Sequence, residues 1–385
     1  MPATPPSPPA PLHIGAAIDG AGAHPAAWRV APARPADLFT AAHYADAARE
    51  AERGALDFVT LDDSLALQDG RADRVRGRLD ALLTLTALAP LTSRIGLVPT
   101  VTTTHTEPFH VSKAVATLDF ASLGRAGWRV QVSATEAEAR HIGRRPAAPA
   151  AVLWDEAAAV ADVVARLWDS WDDDAEIRDT ATGRFVDRDR LHYVDFTGPG
   201  WSVKGPSITP RPPQGHPLVV VRADDDTALA TAAAHADAVL IARPDPGSAA
   251  IARARIRAEV RQAGRSPDDV AVLADVSVLL DTDAAAARAR RDRLDALAGG
   301  PGPAPGLDFT GTPADLADAL AQWAAQGAAD GFTVHPAVLP ADLTAFVDHV
   351  VPLLRGHGLF RDAYTADTLR GHFGLSRPAG HYAAT

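Results

Sequence analysis

The stretch Glu107–Ser133, EPFHVSKAVATLDFASLGRAGWRVQVS, decides how this chain folds. Val111, Ala114, Val115 and Leu118 recur at helical spacing, which predicts a helix over Val111–Ser122. Leu123-Gly124 stops it, and a buried strand begins at Trp128. Upstream, Ile95–Val101 is a second apolar strand, so the unit is strand, helix, strand. Between the first strand and the helix lies a polar run, Thr102-Thr103-Thr104-His105-Thr106-Glu107. A loop rich in hydroxyls and imidazole at the carboxyl end of a parallel strand is where α/β barrels place their chemistry.

Working outward, eight strand-like runs stand out: Leu12–Ile18, Phe58–Leu61, Ile95–Val101, Trp128–Val132, Leu218–Val221, Ala238–Ile241, Val270–Leu280 and Gly331–Val334. Their near-continuous hydrophobicity is that of strands buried on both faces. Amphipathic patterns intervene over Pro35–Arg53, Arg78–Leu91, Val152–Trp168, Pro246–Ala263 and Thr312–Gln326. Eight strands alternating with helices predict an α/β (β/α)8 TIM barrel. Two stretches interrupt the repeat. Asp172–His216, rich in Gly, Pro and charge, reads as an insertion with one strand-like piece, Leu191–Phe196. Gly299–Thr312 (GGPGPAPGLDFTGT) reads as a mobile surface loop, a lid or a plain connector. One barrel domain over residues 12–378 is expected, between a proline-rich tail, 1–11, and a short tail, 379–385.

Composition excludes several classes. A net charge of −11 without a basic run argues against nucleic acid. With no cysteine, disulfides, thiolate nucleophiles and cysteine metal sites are ruled out. Only Lys113 and Lys204 could form a Schiff base. The opening MPATPPSPPAP lacks a positive n-region and an apolar h-region, and no apolar run approaches a membrane span. A cytoplasmic protein is expected.

The quoted segment resembles the bacterial-luciferase-like flavin monooxygenases. The match is to the branch of nitrilotriacetate, long-chain alkane and dibenzothiophene-sulfone monooxygenases. That branch carries a run close to S-T-T-Y-x-E-P-Y-H-x-A-R, then L-D-H-x-S-x-G-R-x-G-W-N-x-V-T-S. The resemblance continues through Leu167-Trp168-Asp169-Ser170-Trp171 and Val203-Lys204-Gly205-Pro206. It ends in DFTGTPADLA, GAADGF, VVPLLRGHGLFR and TLRGHFGL between Asp308 and Pro378, and so covers nearly the whole chain from Leu12. It implies reduced FMN as cofactor, a separate flavin reductase, O2, a small organic substrate and a homodimer.

The resemblance also marks site residues, each with a plainer reading beside it. Asp63 matches the acidic residue of F-L-A-D-S, which lies near the flavin; as an Asp it also suits a helix N-cap. Thr103 and Thr104 match a threonine pair at the flavin edge, or they finish a β-strand. His105 replaces the usual tyrosine and is an acid/base candidate, or a non-catalytic pocket histidine. Ser133 closes the G-W-N-x-V-T-S match. His24, Trp28 and Arg29 match H-x-x-x-W-R and suit a carboxylate or sulfonate on the substrate, or anchor a loop. His335 ends the eighth strand and is expected to face the substrate. Asp19 and Asp62 lie at strand ends too. No compact metal motif accompanies these groups.

Departures from the pattern gather where the family holds the FMN phosphate. The tyrosine of R-Y-x-x-A-x-E aligns with Trp154, its arginine with Leu153 and its glutamate with Ala159. Q-A-G-S-S appears as Val221-Arg222-Ala223-Asp224-Asp225-Asp226, which puts Ala223, Asp224 and Asp225 at the phosphate. Arg129 replaces the asparagine of G-W-N, and Ala134 a histidine catalytic in some members. Carboxylates about 5 Å from a phosphate repel it by roughly 3 kcal/mol per charge pair at an effective dielectric of 20. The same aspartates are natural caps for a helix start. Two functions are therefore expected: a reduced-FMN-dependent monooxygenase, or a divergent member with impaired FMN binding that acts as a flavin-free enzyme or ligand-binding barrel.

Overall fold

The structure, a computed structural model, describes residues 11–67, 70–71 and 73–382. Most of the proline-rich tail expected over residues 1–11 lies outside them. Eight parallel strands form the barrel: β1 (His13–Ala17), β2 (Phe58–Leu61), β3 (Gly96–Thr102), β4 (Gly127–Gln131), β5 (Leu218–Arg222), β6 (Ala238–Ile241), β7 (Ala271–Leu280) and β8 (Gly331–Pro336). Each pairs with its neighbour in sequence, and β8 returns to β1 through His13↔Gly331 to Ala16↔Val334, which closes the ring. The eight expected runs are these strands, with ends shifted by a residue or two.

The helices follow from local chemistry. Pro108 opens the helix Pro108–Ala121, where its missing N–H costs nothing. Leu123 and Gly124, both at positive φ, end it. Asp245 and Thr312 cap Pro246–Gln262 and Pro313–Ala325 by accepting the N–H of Ser248 and Asp315. Alanine, leucine and valine side chains between strands and helices fill the outer core, while Phe58, Val98, Val220, Leu240 and Leu273 fill the barrel. Leu369 and Phe373 plug its amino-terminal end, where His13 stacks on Phe373 at 4.4 Å. That plug leaves the carboxyl ends of the strands as the open end.

Two expectations need correction. Leu307–Gly311, read as part of a loop over 299–312, is a strand. β7 is ten residues long; its first half pairs with β6 and its second half carries this extra strand, from Val276↔Leu307 to Leu280↔Gly311. Leu191–Phe196 forms no strand of its own. Leu191 makes a single bridge to Trp171, and the insertion is built from two hairpins, Glu176–Asp179 with Arg184–Val186 and Phe196–Gly198 with Trp201–Val203. A helix over Ala284–Ala298 has no counterpart among the expected elements.

Candidate active site

A cavity of about 910 Å³ opens at the barrel mouth, near the upper end of the roughly 300–1,000 Å³ usual for small-molecule sites. Its lining combines apolar side chains (Trp28, Leu38, Phe39, Val75, Leu79, Trp154) with charged ones delivered by successive strands.

Two charged strings cross the cavity floor. In the first, Asp19 after β1 accepts the N–H of Asp62 at 2.6 Å, and the Asp62 carboxylate pairs with Arg129 of β4. Burial, and then the charge of Asp62, push the Asp19 carboxyl up to about 6. In the second, the fully buried Asp275 of β7 receives His335 Nε2 at 3.1 Å and Arg222 Nη1 at 2.6 Å, and Arg222 also reaches Asp224 Oδ2 at 3.2 Å. Burial alone would raise the Asp275 carboxyl, but His335 and Arg222 hold it below the usual carboxylate range. An ionised Asp275 places a proton of His335 on Nε2 and fixes the ring's orientation.

The Asp19 shift gives a signed expectation. Between the ordinary value of 3.8 and about 6 the folded chain holds a proton the unfolded chain has lost, so this group's effect on stability turns unfavourable as pH rises through that window. Asp19→Asn should be more stable than the wild type above it, by on the order of 1 kcal/mol once solvent contact is discounted. The difference should vanish near pH ~4. Urea midpoints at both ends of the window test this; a pH-independent difference rules it out.

The expected site residues divide into two groups. His24, Trp28, Arg129, Trp154, Asp224, Asp225 and His335 line the cavity, as do Asp19 and Asp62. His24 is held rigidly: its Nδ1 accepts from the Ala26 N–H at 3.2 Å, and its Nε2 lies 3.0 Å from Asp295. Trp28 donates to the Asp73 carbonyl at 3.3 Å.

Asp63, Thr103, Thr104, His105, Ser133, Ala223 and Arg29 stand outside the lining. Asp63 accepts the N–H groups of Ser64 and Ala81, at 2.7 and 3.0 Å, at the start of the helix Ala81–Leu88. Burial raises its carboxyl. Thr103 donates to the Gln131 carbonyl, and Thr104 accepts the Ser133 N–H at 3.0 Å, so this trio knits β3 to β4. Ala223 is buried and donates its N–H to Leu240. Arg29 is exposed and donates to the Leu297 carbonyl at 2.6 Å. His105 sits at φ 67 with both ring nitrogens buried and unpartnered among the described residues, and burial followed by Arg145 lowers its pKa. A non-glycine residue held there stores strain of the kind that marks functional loops.

Two groups have no place in the expected site: Arg74, which lines the cavity, and Asp275, buried beneath the lining residues Arg222 and His335. Asp275 carries a legible signal, a lone charge inside the apolar strand AVLADVSVLL. Arg74 carries none, because its loop has no pattern. Its Nη2 donates to the Ala298 carbonyl at 3.2 Å, while Nε and Nη1 are buried without partners among the described residues.

The end of the cavity where the resemblance puts a cofactor phosphate, lined by Trp154, Asp224 and Asp225, does not suit one. Asp225 caps the helix Asp226–His235 with its own carboxylate, accepting the Thr227 N–H at 2.9 Å. Asp224 accepts the Ala242 N–H at 2.6 Å. Trp154 stands beside them with one donor and no acceptor in its side chain.

Comparison with known proteins agrees with this geometry. The model of a family described as luciferase-like monooxygenase matches residues 21–351. N-acetyl-S-(2-succino)cysteine monooxygenase of Bacillus subtilis (strain 168) is 32% identical, over 97% of this chain and 98% of that protein. Nitrilotriacetate monooxygenase component A of Aminobacter aminovorans is 31% identical, over 95% of this chain and 97% of that protein. Among solved structures, EDTA monooxygenase from Chelativorans sp. BNC1 superposes with a TM-score of 0.86 at 24% identity, over 95% and 99% of the two chains.

Proposed function

Because the chain belongs to the luciferase-like monooxygenase family, we propose that it is the oxygenase of a two-component flavin system. A separate reductase supplies reduced flavin, and the barrel uses it with O2 to place one oxygen atom on a small organic substrate. The second oxygen leaves as water and the flavin is left oxidised. The observation that carries this reading is the mouth cavity of about 910 Å³, lined by both apolar and charged side chains. The electrons and the oxygen activation come from the cofactor, while the protein binds, orients and excludes water.

The chain's own groups have definite tasks in this reading. Trp28, Phe39, Val75 and Leu79 form a dry wall against the flavin and the substrate. Arg129, aimed by Asp62, presents a fixed positive charge, and His335, aimed by Asp275, moves a proton to or from the bound substrate through Nδ1. Asp63, Thr103, Thr104 and Ser133 stiffen the β2, β3 and β4 ends that frame the site, next to His105 in the β3 loop.

The working unit in this proposal is a cytoplasmic homodimer. Leu83, Leu91, Phe120 and Leu123 are exposed on or just after the neighbouring helices Ala81–Leu88 and Pro108–Ala121, an apolar face suited to a second copy. Among the described residues no helix is long and apolar enough to cross a membrane.

The test is a reconstituted assay with a flavin reductase, NADH, flavin and a panel of small thioethers and aminopolycarboxylates, read by incorporation of 18O from labelled O2. Label in a product only when the barrel is present supports the reading. Flavin bleaching with unlabelled products under all conditions refutes it.

A further inference from the structure

We propose that this chain binds its flavin without capturing the terminal phosphate, so that riboflavin binds at least as tightly as FMN. The inference rests on the flavin-dependent reading above and concerns which flavin the cavity takes.

A phosphate at a barrel mouth is normally held by free N–H groups of a helix start and by nearby hydroxyls or cations. Asp225 and Ala228, at the start of the helix Asp226–His235, both line the cavity. That start already carries a carboxylate of its own. Asp225 Oδ1 takes the Thr227 N–H at 2.9 Å and the Thr227 hydroxyl at 2.5 Å. Asp224 projects a second carboxylate into the same lining, anchored by Ala242 N–H at 2.6 Å.

The nearby cations are spent. Arg222 is shared between Asp275 and Asp224, at 2.6 and 3.2 Å. Arg243 gives its guanidinium N–H groups to the carbonyls of Ala242 and Asp224, each at 2.9 Å. Arg255 is paired with Asp226 at 2.5 Å. Trp154 adds bulk on the other side and is fixed to the same helix through the Thr231 hydroxyl, which donates to its carbonyl at 3.0 Å.

Among the described residues, a phosphate at this end would meet two carboxylates and, from side chains, the single indole N–H of Trp154. Each carboxylate about 5 Å away weakens binding by a factor on the order of a hundred at an effective dielectric of roughly 20. The hydroxyl that ends the riboflavin side chain carries no charge. It can donate to the Asp224 or Asp225 oxygens that repel the phosphate.

Quenching of flavin fluorescence, titrated with riboflavin and with FMN on the full chain, tests this. Riboflavin is expected to bind as tightly as FMN or tighter, with any gap narrowing as salt screens the carboxylates. In the double variant Asp224→Asn, Asp225→Ser, FMN should gain at least tenfold while riboflavin moves less than threefold. Serine still caps the helix and asparagine still accepts from Ala242, so both substitutions keep the local fold, which circular dichroism checks.

FMN binding tenfold or more tighter than riboflavin in the wild type overturns the proposal. If Arg74→Gln then removes that preference, the phosphate lies instead at the Arg74 guanidinium, whose Nε and Nη1 have no hydrogen-bond partner among the described residues. No quenching by either flavin overturns both this inference and the flavin-dependent reading, so the two failures are told apart.

Discussion

Gly331→Ala is expected to prevent the barrel from closing. Gly331 opens β8 opposite His13 of β1, at the last seam of the ring. A Cβ built there would lie 1.9 Å from the His13 carbonyl oxygen and 2.7 Å from its carbon. Both are backbone atoms, so no side chain can swing aside to make room. Relief requires β1 and β8 to separate, which would break the ladder that holds the first strand to the last. We expect a loss of about 4 kcal/mol or more, the range reserved for a named structural failure. The measurement is soluble yield together with the urea midpoint. Gly356→Ala is the control: it lies at the end of the helix Val351–Gly356 with open space around it, and should be neutral or slightly stabilising. A Gly331→Ala protein within about 1 kcal/mol of wild type would show that the seam can give.

The barrel was legible because its strands are buried on both faces and so appear as unbroken apolar runs. What escaped notice lacked that signature. The helix Ala284–Ala298, AAAARARRDRLDALA, buries only Ala287, Leu294 and Ala298, and its alternating alanine and arginine leave no apolar stripe. The strand Leu307–Gly311 is short, sits outside the ring on β7, and follows a glycine- and proline-rich run that reads as loop. The site shows the same limit. Asp19, Asp62 and His335 could be placed at strand ends from topology alone, whereas Arg129 lies inside β4 and entered only through the resemblance. Their pairing depends on register: His335 lies beside Ser277 on β7, which brings its ring to Asp275 two residues before. No spacing in the sequence shows a contact between groups 60 residues apart. The aspartates after β5 were readable in kind, since a run of three before a helix is a cap, and Asp225 is that cap.

Asp275→Ala is expected to be the most damaging change within the cavity floor. It removes a carboxylate with no solvent exposure that holds two partners, Arg222 at 2.6 Å and His335 at 3.1 Å. Breaking one side of a buried pair costs about 3–5 kcal/mol, since the remaining charge keeps its desolvation penalty and loses its partner. Arg222 can still turn to Asp224, so the lower end of that range, about 3 kcal/mol, is the expected loss. The sign with pH follows from the lowered Asp275 carboxyl. Its contribution is fully present above the ordinary carboxylate value and is lost as pH falls through the folded value, so wild type and variant should converge in acid. Replacing both partners, Asp275→Leu with Arg222→Met, should recover more than half of the lost stability, because an apolar pair of similar volume avoids the orphaned charge. It should not restore His335, whose ring would no longer be held in one orientation, so the 18O assay should stay depressed in the double variant while the urea midpoint rises. Equal stability of the single variant and wild type would mean that Asp275 is solvated by water, and the floor of the cavity would then not be the dry, charge-paired surface described.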